Sequence, residues 1–178
     1  MIRAAGPHDS AAIARVYAPC VETSYASFEE TAPDADEIAQ RMAAAPLLPW
    51  LVAEDDGEVV GFAYASHHRV RHAYRWSVDT SVYLAAGATG RGTGSALYDV
   101  LLPLVRDLGH VSAYAAIALP NDASVALHSR HGFVPVGTFR DVGFKLGGWR
   151  DVAWYHLPLR AAPTAPVEPR PWDGTLGA

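Results

Sequence analysis

An acidic residue within an otherwise uncharged, alternating segment is the first sign of chemistry in the sequence. From Trp76 to Leu84 apolar and polar residues alternate, so Asp79 and Tyr83 point to the same face of a predicted strand. A carboxylate in this position can act as a general base that takes the proton of an ammonium group, directly or through water. The structural alternative is a carboxylate at a sheet edge that pairs with a nearby arginine.

A cationic loop precedes this strand. Residues 67–76 read His-His-Arg-Val-Arg-His-Ala-Tyr-Arg-Trp, with three arginines, three histidines and no carboxylate. Arginine interleaved with aromatic residues is typical of a site for a planar or tetrahedral oxyanion, which a guanidinium binds through paired hydrogen bonds. A solvated loop is the alternative. The histidines His67, His68 and His72 have no cysteine nearby and no helix that would present them together, so no metal site is predicted.

A glycine-rich turn follows the strand. Residues 90–95 read Gly-Arg-Gly-Thr-Gly-Ser and lead into a predicted helix, whose free amides and dipole favour an anion. The turn is not a Walker loop, because Gly92 is followed by Thr93 and Gly94 rather than by Lys and Ser or Thr. It is not a dinucleotide fingerprint either, because Ser95 replaces a glycine of that motif. A phosphate-binding turn and a tight turn that only needs positive φ both stay open.

Hydrophobic periodicity predicts the elements that position these residues. Two apolar runs, 50–54 and 58–66, are separated by Asp-Asp-Gly and predict an antiparallel hairpin. Helical spacing follows the glycine turn, and Asn121 is expected to cap a further helix that ends near Gly132. The predicted order β-α-α-β-β-β-α-β-α-β-β describes an α/β domain with one mixed sheet and helices on both faces.

Composition excludes several classes of function. The chain has 178 residues and a formal net charge of −5, so it lacks the broad positive field that binding to nucleic acid or an anionic membrane requires. The single cysteine, Cys20, cannot form an intramolecular disulfide, and no apolar leader or membrane-spanning run is evident, so we expect a cytoplasmic protein. We predict one domain over residues 1–160 and a flexible Pro/Ala/Gly-rich tail over 161–178.

Several dispersed motifs, in order along residues 1–158, resemble the GCN5-related N-acetyltransferase (GNAT) superfamily, and within it the phosphinothricin and methionine sulfoximine/sulfone acetyltransferases. The resembling segments are Val-Glu-Thr-Ser (21–24), Pro-Trp-Leu-Val-Ala-Glu (49–54), Ala-Tyr-Arg-Trp (73–76), Ser-Val-Tyr (81–83), Gly-Ser-Ala-Leu-Tyr (94–98), Leu-Pro-Asn-Asp (119–122), Leu-His (127–128) and Lys-Leu-Gly-Gly-Trp-Arg-Asp-Val (145–152). The resemblance implies the GNAT fold, a twisted, mostly antiparallel sheet between helices.

The resemblance also implies acetyl-CoA as the cosubstrate and no metal. The residues that match cofactor contacts are Val82, Tyr83, Leu84, Gly90, Arg91, Gly92, Thr93, Gly94, Ser95, Asn121 and Ser124. In this superfamily the turn amides hold the CoA pyrophosphate and the backbone of the strand pairs with the pantetheine arm. One departure is Thr89, where the superfamily usually has Gln or Arg, and Arg91 is a substitute donor.

For catalysis, the resemblance assigns the general base to Asp79, where the family has Glu, and the general acid to His128, where many members have Tyr. Arg69 and Arg71 match the residues that bind the acidic groups of phosphinothricin. Phe28, Tyr74 and Tyr83 match residues that shape its pocket. The resemblance thus implies N-acetylation of the α-amine of a small oxyanionic or strongly polar amino acid.

Two alternatives stay open at this point. The substrate can be another amine, including a protein N-terminus, although the cationic loop argues against polycations. The chain can also be a non-catalytic acyl-CoA-binding module, which the departures at Thr89 and Asp79 motivate. Relatives are commonly dimers, so the resemblance implies a homodimer.

Overall fold

The computed structural model describes residues 1–45 and 47–176, and it confirms the predicted order of elements. The strands and helices in chain order are β1 (Ile2–Ala4), α1 (Ser10–Glu22), α2 (Ala35–Ala44), β2 (Trp50–Asp55), β3 (Glu58–His67), β4 (Ser77–Leu84), α3 (Thr93–Asp107), β5 (Ser112–Ala118), α4 (Asp122–Arg130), β6 (Val134–Lys145) and β7 (Gly148–Pro158).

The described strands form one seven-stranded sheet in the order β1-β2-β3-β4-β5-β7-β6. The pairing between β4 and β5 is parallel, whereas the other neighbouring pairs are antiparallel. The mixed, mostly antiparallel sheet of the prediction is therefore confirmed. The predicted hairpin is also present, since β2 pairs with β3 from Trp50 opposite Tyr64 to Asp55 opposite Glu58.

Each face of the sheet buries its own apolar core. On one face the strands pack against Leu97 and Leu101 of α3. On the other face they pack against Ile13 of α1 and Ile38 of α2, all fully or almost fully buried. Alternation along the strands explains this arrangement, because successive side chains point to opposite faces and both faces carry apolar residues.

The tail, residues 161–176 in the described part, contains neither helix nor strand. It lies against the domain through the indole of Trp76, which donates to the Val167 carbonyl at 2.8 Å, and through an ion pair of 2.6 Å between Arg75 and Glu168. The amide of Arg170 donates to the Leu108 carbonyl at 2.7 Å. The flexibility of the tail stays a prediction.

Candidate active site

The sheet splits between β4 and β5, and this split creates the main cleft. The two strands pair only from Ser77 opposite Ser112 to Asp79 opposite Tyr114, and they share no further ladder in the described residues. Beyond Asp79 the strands enclose a cleft of about 480 Å³, which we call the β4–β5 cleft. Its walls are β4, β5 and the first turns of α3 and α4.

The first turn of α3 presents free amides to the β4–β5 cleft. Gly90 and Gly92 adopt the left-handed region, with φ of 73° and 85°, which glycine tolerates without strain. The Ala96 amide is the first to reach a carbonyl of this turn, that of Gly92 at 2.9 Å. The amides of the preceding helical residues, 93–95, therefore have no helical partner, and a helix terminus of this kind suits an anion.

The structure brings all but one of the predicted cofactor residues to this cleft. The cleft is lined by Val82, Tyr83, Leu84, Gly90, Gly92, Thr93, Gly94, Ser95, Asn121 and Ser124. Asn121 caps α4, its side-chain oxygen accepting the Ser124 amide at 3.1 Å. Arg91 is the exception, because its guanidinium lies 3.3 Å from Asp55 at the β2–β3 turn instead of replacing the donor that Thr89 lacks. The binding roles themselves stay predictions.

His128 also lines the cleft, with only 4% of the residue exposed. Its Nδ1 donates to the Ser124 carbonyl at 2.7 Å, so the neutral ring accepts at Nε2 from the Tyr98 hydroxyl at 2.9 Å. Burial lowers the pKa of His128. The role of His128 as the general acid stays a prediction. For this role, His128 Nε2 must first break its hydrogen bond with the Tyr98 hydroxyl, because only then can it carry a proton to sulfur.

Asp79 lies at the vertex of the split and is paired. His68 Nδ1 donates to Asp79 Oδ1 at 2.6 Å, and the two side chains are 11% and 27% exposed. Burial raises the pKa of the Asp79 carboxyl, and the hydrogen bond from His68 and the charge of Arg69 oppose this shift. The carboxylate of the prediction is therefore paired with a histidine, not with an arginine.

Further polar and aromatic side chains surround this pair. The His68 ring stacks on Tyr114 at 4.3 Å and lies 5.9 Å from the rings of both Tyr74 and Trp154. The guanidinium of Arg69 lies 5.2 Å from the Trp154 ring centre. We call this group the Asp79 cluster: His68, Arg69, Tyr74, Asp79, Tyr114 and Trp154.

The other predicted substrate residues lie in different places. Arg71 is exposed, and within residues 1–45 and 47–176 its side chain forms neither an ion pair nor a hydrogen bond. Phe28 packs on Gly143 of β6 so closely that a Cβ there would lie 2.3 Å from the ring. The Tyr83 ring lies beneath α1, 4.6 Å from the Tyr17 ring, although the residue lines the cleft. The structure thus brings Arg69, Tyr74 and Asp79 together.

Sequence reasoning missed several members of the site. From sequence, His68 is one histidine of the cationic loop and has no predicted role; in the described part of the chain no group of three or more His, Cys, Asp or Glu could hold a metal. Trp154 and Tyr114 gave no signal, because they reach the cluster only through sheet pairing. Lys145 was also missed: its buried Nζ donates to the Val21 and Ser27 carbonyls at 2.5 and 2.6 Å and fixes the segment that carries Phe28.

Comparison with known proteins decides the family. Residues 2–154 match the acetyltransferase (GNAT) domain family. The chain belongs to the GNAT acetyltransferases. This GNAT chain is 39% identical over 174 residues to a phosphinothricin N-acetyltransferase of Alcaligenes faecalis, covering 92% of the chain and 84% of the relative. It is 34% identical to an L-methionine sulfoximine/L-methionine sulfone acetyltransferase of Salmonella typhimurium, with coverages of 92% and 98%.

A solved GNAT structure shows the same architecture. The phosphinothricin acetyltransferase of Sinorhizobium meliloti, in complex with AcCoA, superimposes with a TM-score of 0.89 at 35% identity, over 98% of this chain and 94% of the other. The GNAT fold and N-acetyltransferase activity follow from these relatives. In the described residues no helix of this GNAT enzyme is long and apolar enough to cross a membrane.

Proposed function

We propose that this enzyme transfers the acetyl group of acetyl-CoA to the α-amine of a small amino acid with an oxyanionic or strongly polar side chain, such as phosphinothricin, methionine sulfoximine or methionine sulfone. The observation that carries the proposal is the position of the Asp79 cluster. A half-buried carboxylate, an arginine and aromatic rings surround the last paired residues of β4 and β5, next to which a cleft opens that is lined by the first turns of α3 and α4.

The β4–β5 cleft fits acetyl-CoA in both charge and shape. The amides of residues 93–95 suit the pyrophosphate, and the edge of β4 beyond Asp79, which lacks a β5 partner in the described ladder, can pair with the pantetheine arm. When bound, acetyl-CoA supplies the thioester carbonyl that the amine attacks. The complex of the S. meliloti relative with AcCoA supports this assignment.

The chain's own residues then bind and activate the amine. The guanidinium of Arg69 is placed to bind an oxyanion of the substrate, and the aromatic rings of Tyr74 and Trp154 shape the slot. Deprotonation of the substrate ammonium group depends on Asp79, because its carboxylate stabilises the positive charge of the proton that leaves the amine. An amide N–H of the β4 segment 82–84 is the donor for the acetyl oxygen.

The first test is release of CoA thiol by the purified protein with acetyl-CoA and a panel of amines. The panel contains phosphinothricin, methionine sulfoximine, methionine sulfone, ordinary amino acids and a polyamine. We expect fast release with the three oxyanionic or polar analogues and little with the polyamine. Release with the polyamine alone would contradict the proposed substrate class.

A matched pair of variants tests whether deprotonation depends on Asp79. Asp79→Asn should lower turnover at least about a hundredfold, in the range of general-base catalysis, without loss of acetyl-CoA binding. Asp36→Asn changes an exposed carboxylate on α2 and should leave turnover unchanged. Equal turnover of Asp79→Asn and the parent would remove Asp79 from the mechanism and favour the non-catalytic acyl-CoA-binding alternative.

The proposal includes a homodimer formed through the β6–β7 hairpin. β6 is an edge strand that pairs only with β7 in the described sheet, and its hairpin exposes large apolar side chains. These are Val134, Val136, Phe139, Val142, Phe144, Leu146 and Trp149, each exposed by 49–63%. A contiguous apolar face next to an unpaired edge is typical of a surface that a second copy covers.

Light scattering after size-exclusion chromatography tests the dimer. The parent should have twice the mass of one chain, and Phe144→Glu should have the mass of one chain. Val167→Glu changes an exposed apolar residue outside the hairpin and should keep the parent mass. A monomeric parent would exclude this assembly.

We also propose a cytoplasmic site of action and a role in resistance to amino-acid analogues. The first rests on the absence of a disulfide, since Cys20 is a free thiol. The second rests on the names of the relatives. Growth of a sensitive host on phosphinothricin, with and without the gene, tests the second.

A further inference from the structure

The His68 ring is a second group that can accept a proton, and it is hydrogen-bonded to the Asp79 carboxylate. Along β3 and β4, Ser66 is opposite Asp79, so the chain leaves β3 just before His68 and turns its ring back over β4. Tyr114 stacks on one side of this ring at 4.3 Å and Trp154 meets it at 82°. The histidine is therefore held in one orientation by packing as well as by its hydrogen bond to Asp79.

This hydrogen bond fixes the tautomer of the histidine. An ionised carboxylate can only accept, so His68 Nδ1 carries a proton when it bonds Asp79 Oδ1. Neutral His68 then has its free lone pair on Nε2. A carboxylate that bonds Nδ1–H also stabilises the imidazolium that forms when Nε2 takes a second proton.

The Nε2 atom of His68 is in contact with solvent. It makes no hydrogen bond within residues 1–45 and 47–176, and it is not among the buried unpaired polar atoms of that part of the chain. Asp79 and Tyr114 are the last paired residues before the β4–β5 cleft opens. Because His68 is hydrogen-bonded to Asp79, its ring lies at this closed end of the cleft.

We propose that His68 Nε2 is the general base of the reaction and that Asp79 is its positioning residue; this proposal rests on the proposed function. The N–H bond of the substrate ammonium breaks with its electron pair staying on nitrogen, and the proton moves to Nε2. The amine then forms a C–N bond to the acetyl carbon, and the C–S bond breaks with its electron pair going to sulfur. A second amine proton goes to that sulfur, giving amide and free thiol, and the proton on His68 leaves to water.

The short side chain of Asp79 allows a rescue experiment, in which a longer carboxylate at position 79 replaces the base that is removed at position 68. His68→Gln retains a donor for Asp79 but removes the base, and we expect kcat to fall about a hundredfold while both KM values stay within about threefold. Asp79→Glu in the same chain extends the carboxylate by one methylene, so the double variant should recover to within about tenfold of the parent. A kcat of His68→Gln within threefold of the parent, or no recovery in the double variant, would overturn the proposal.

A second readout does not depend on turnover. The ¹⁵N chemical shifts of the histidine rings report which nitrogen carries the proton, and His68 should show the Nδ1–H form in the parent and lose this preference in Asp79→Asn. The exposed His67 should not change between the two proteins and serves as the control. An Nε2–H form of His68 in the parent would overturn the proposal. Absence of turnover with the whole panel would instead refute the proposed function, with the tautomer still measurable.

Discussion

The β4–β5 cleft and the Asp79 cluster next to its closed end are built from different chemical groups. The cleft presents backbone amides from one continuous turn, residues 90–95, and one unpaired strand edge. The cluster presents side chains from the loop after β3 and from β4, β5 and β7. Backbone groups are the same in every sequence that forms the turn, whereas a side-chain cluster is particular to one chain. We therefore expect the cleft to define the family and the cluster to define the substrate.

The largest expected effect comes from placing a charge among the cleft amides. Ser95 is the third helical residue of α3, where Glu favours the helix but its carboxylate would compete with a phosphate. We expect Ser95→Glu to weaken acetyl-CoA binding more than a hundredfold in isothermal titration. Ser95→Gln has the same size without the charge and should bind within about fivefold of the parent. Equal affinity of both variants would show that the amides are not the phosphate site.

Acid should destabilise the fold through the buried His110, outside both the cleft and the cluster. Burial lowers the pKa of His110 to about 4 from 6.5, and this histidine lies beside the cationic loop through the backbone of Arg75. Folded His110 stays neutral between these values while the unfolded chain binds a proton, so the free energy of unfolding should fall as pH drops from 6.5 to 4.

The contribution of His110 to this loss should reach about 3 kcal/mol. Urea unfolding of the parent and of His110→Gln across this pH range measures it, because the variant should show the shallower dependence. Parallel curves would mean that His110 is not the group responsible.

Replacement of Arg69 tests whether the Asp79 cluster binds the amino-acid substrate and not acetyl-CoA. Arg69→Gln should raise KM for an oxyanionic amino acid about tenfold and leave KM for acetyl-CoA unchanged, since one charged hydrogen-bonding group contributes on the order of 1.5 kcal/mol. Arg106→Gln, on the exposed side of α3, is the matched control. Steady-state kinetics with both substrates varied measures the two KM values. If both values rose together, the separation into a cofactor site and a substrate site would be contradicted.

The smallest effect is expected from the tail. Truncation after Arg160 removes the hydrogen bonds from Trp76 to Val167 and from Arg170 to Leu108, all at the surface. We expect turnover to stay within about threefold and the free energy of unfolding to fall by about 1 kcal/mol. Loss of activity in the truncated protein would move the domain boundary beyond residue 160.

The difference between the two regions also explains what the sequence could predict. The order of elements and the cleft follow from local signals, since the glycine turn and the periodicity of α3 are contiguous in the chain. The cluster depends on register: Trp154 is opposite Ala116 and Asp79 opposite Tyr114, pairings that join segments far apart in sequence. Periodicity does not determine such pairings, so His68 gave no signal beyond a histidine in a charged loop. Arg91 shows a further limit, because its place in the glycine turn does not determine where its long side chain points, which is toward Asp55.

The short parallel pairing between β4 and β5 makes this junction a natural hinge. The pairing covers only three residues of each strand, so a single sheet is divided into two lobes joined by a narrow seam. A cofactor that pairs with the free edge of β4 would close this seam as an additional strand. Those amide hydrogens of residues 80–84 that point away from β3 should therefore exchange quickly in the free enzyme and become protected on binding, and the two lobes should then melt as one unit.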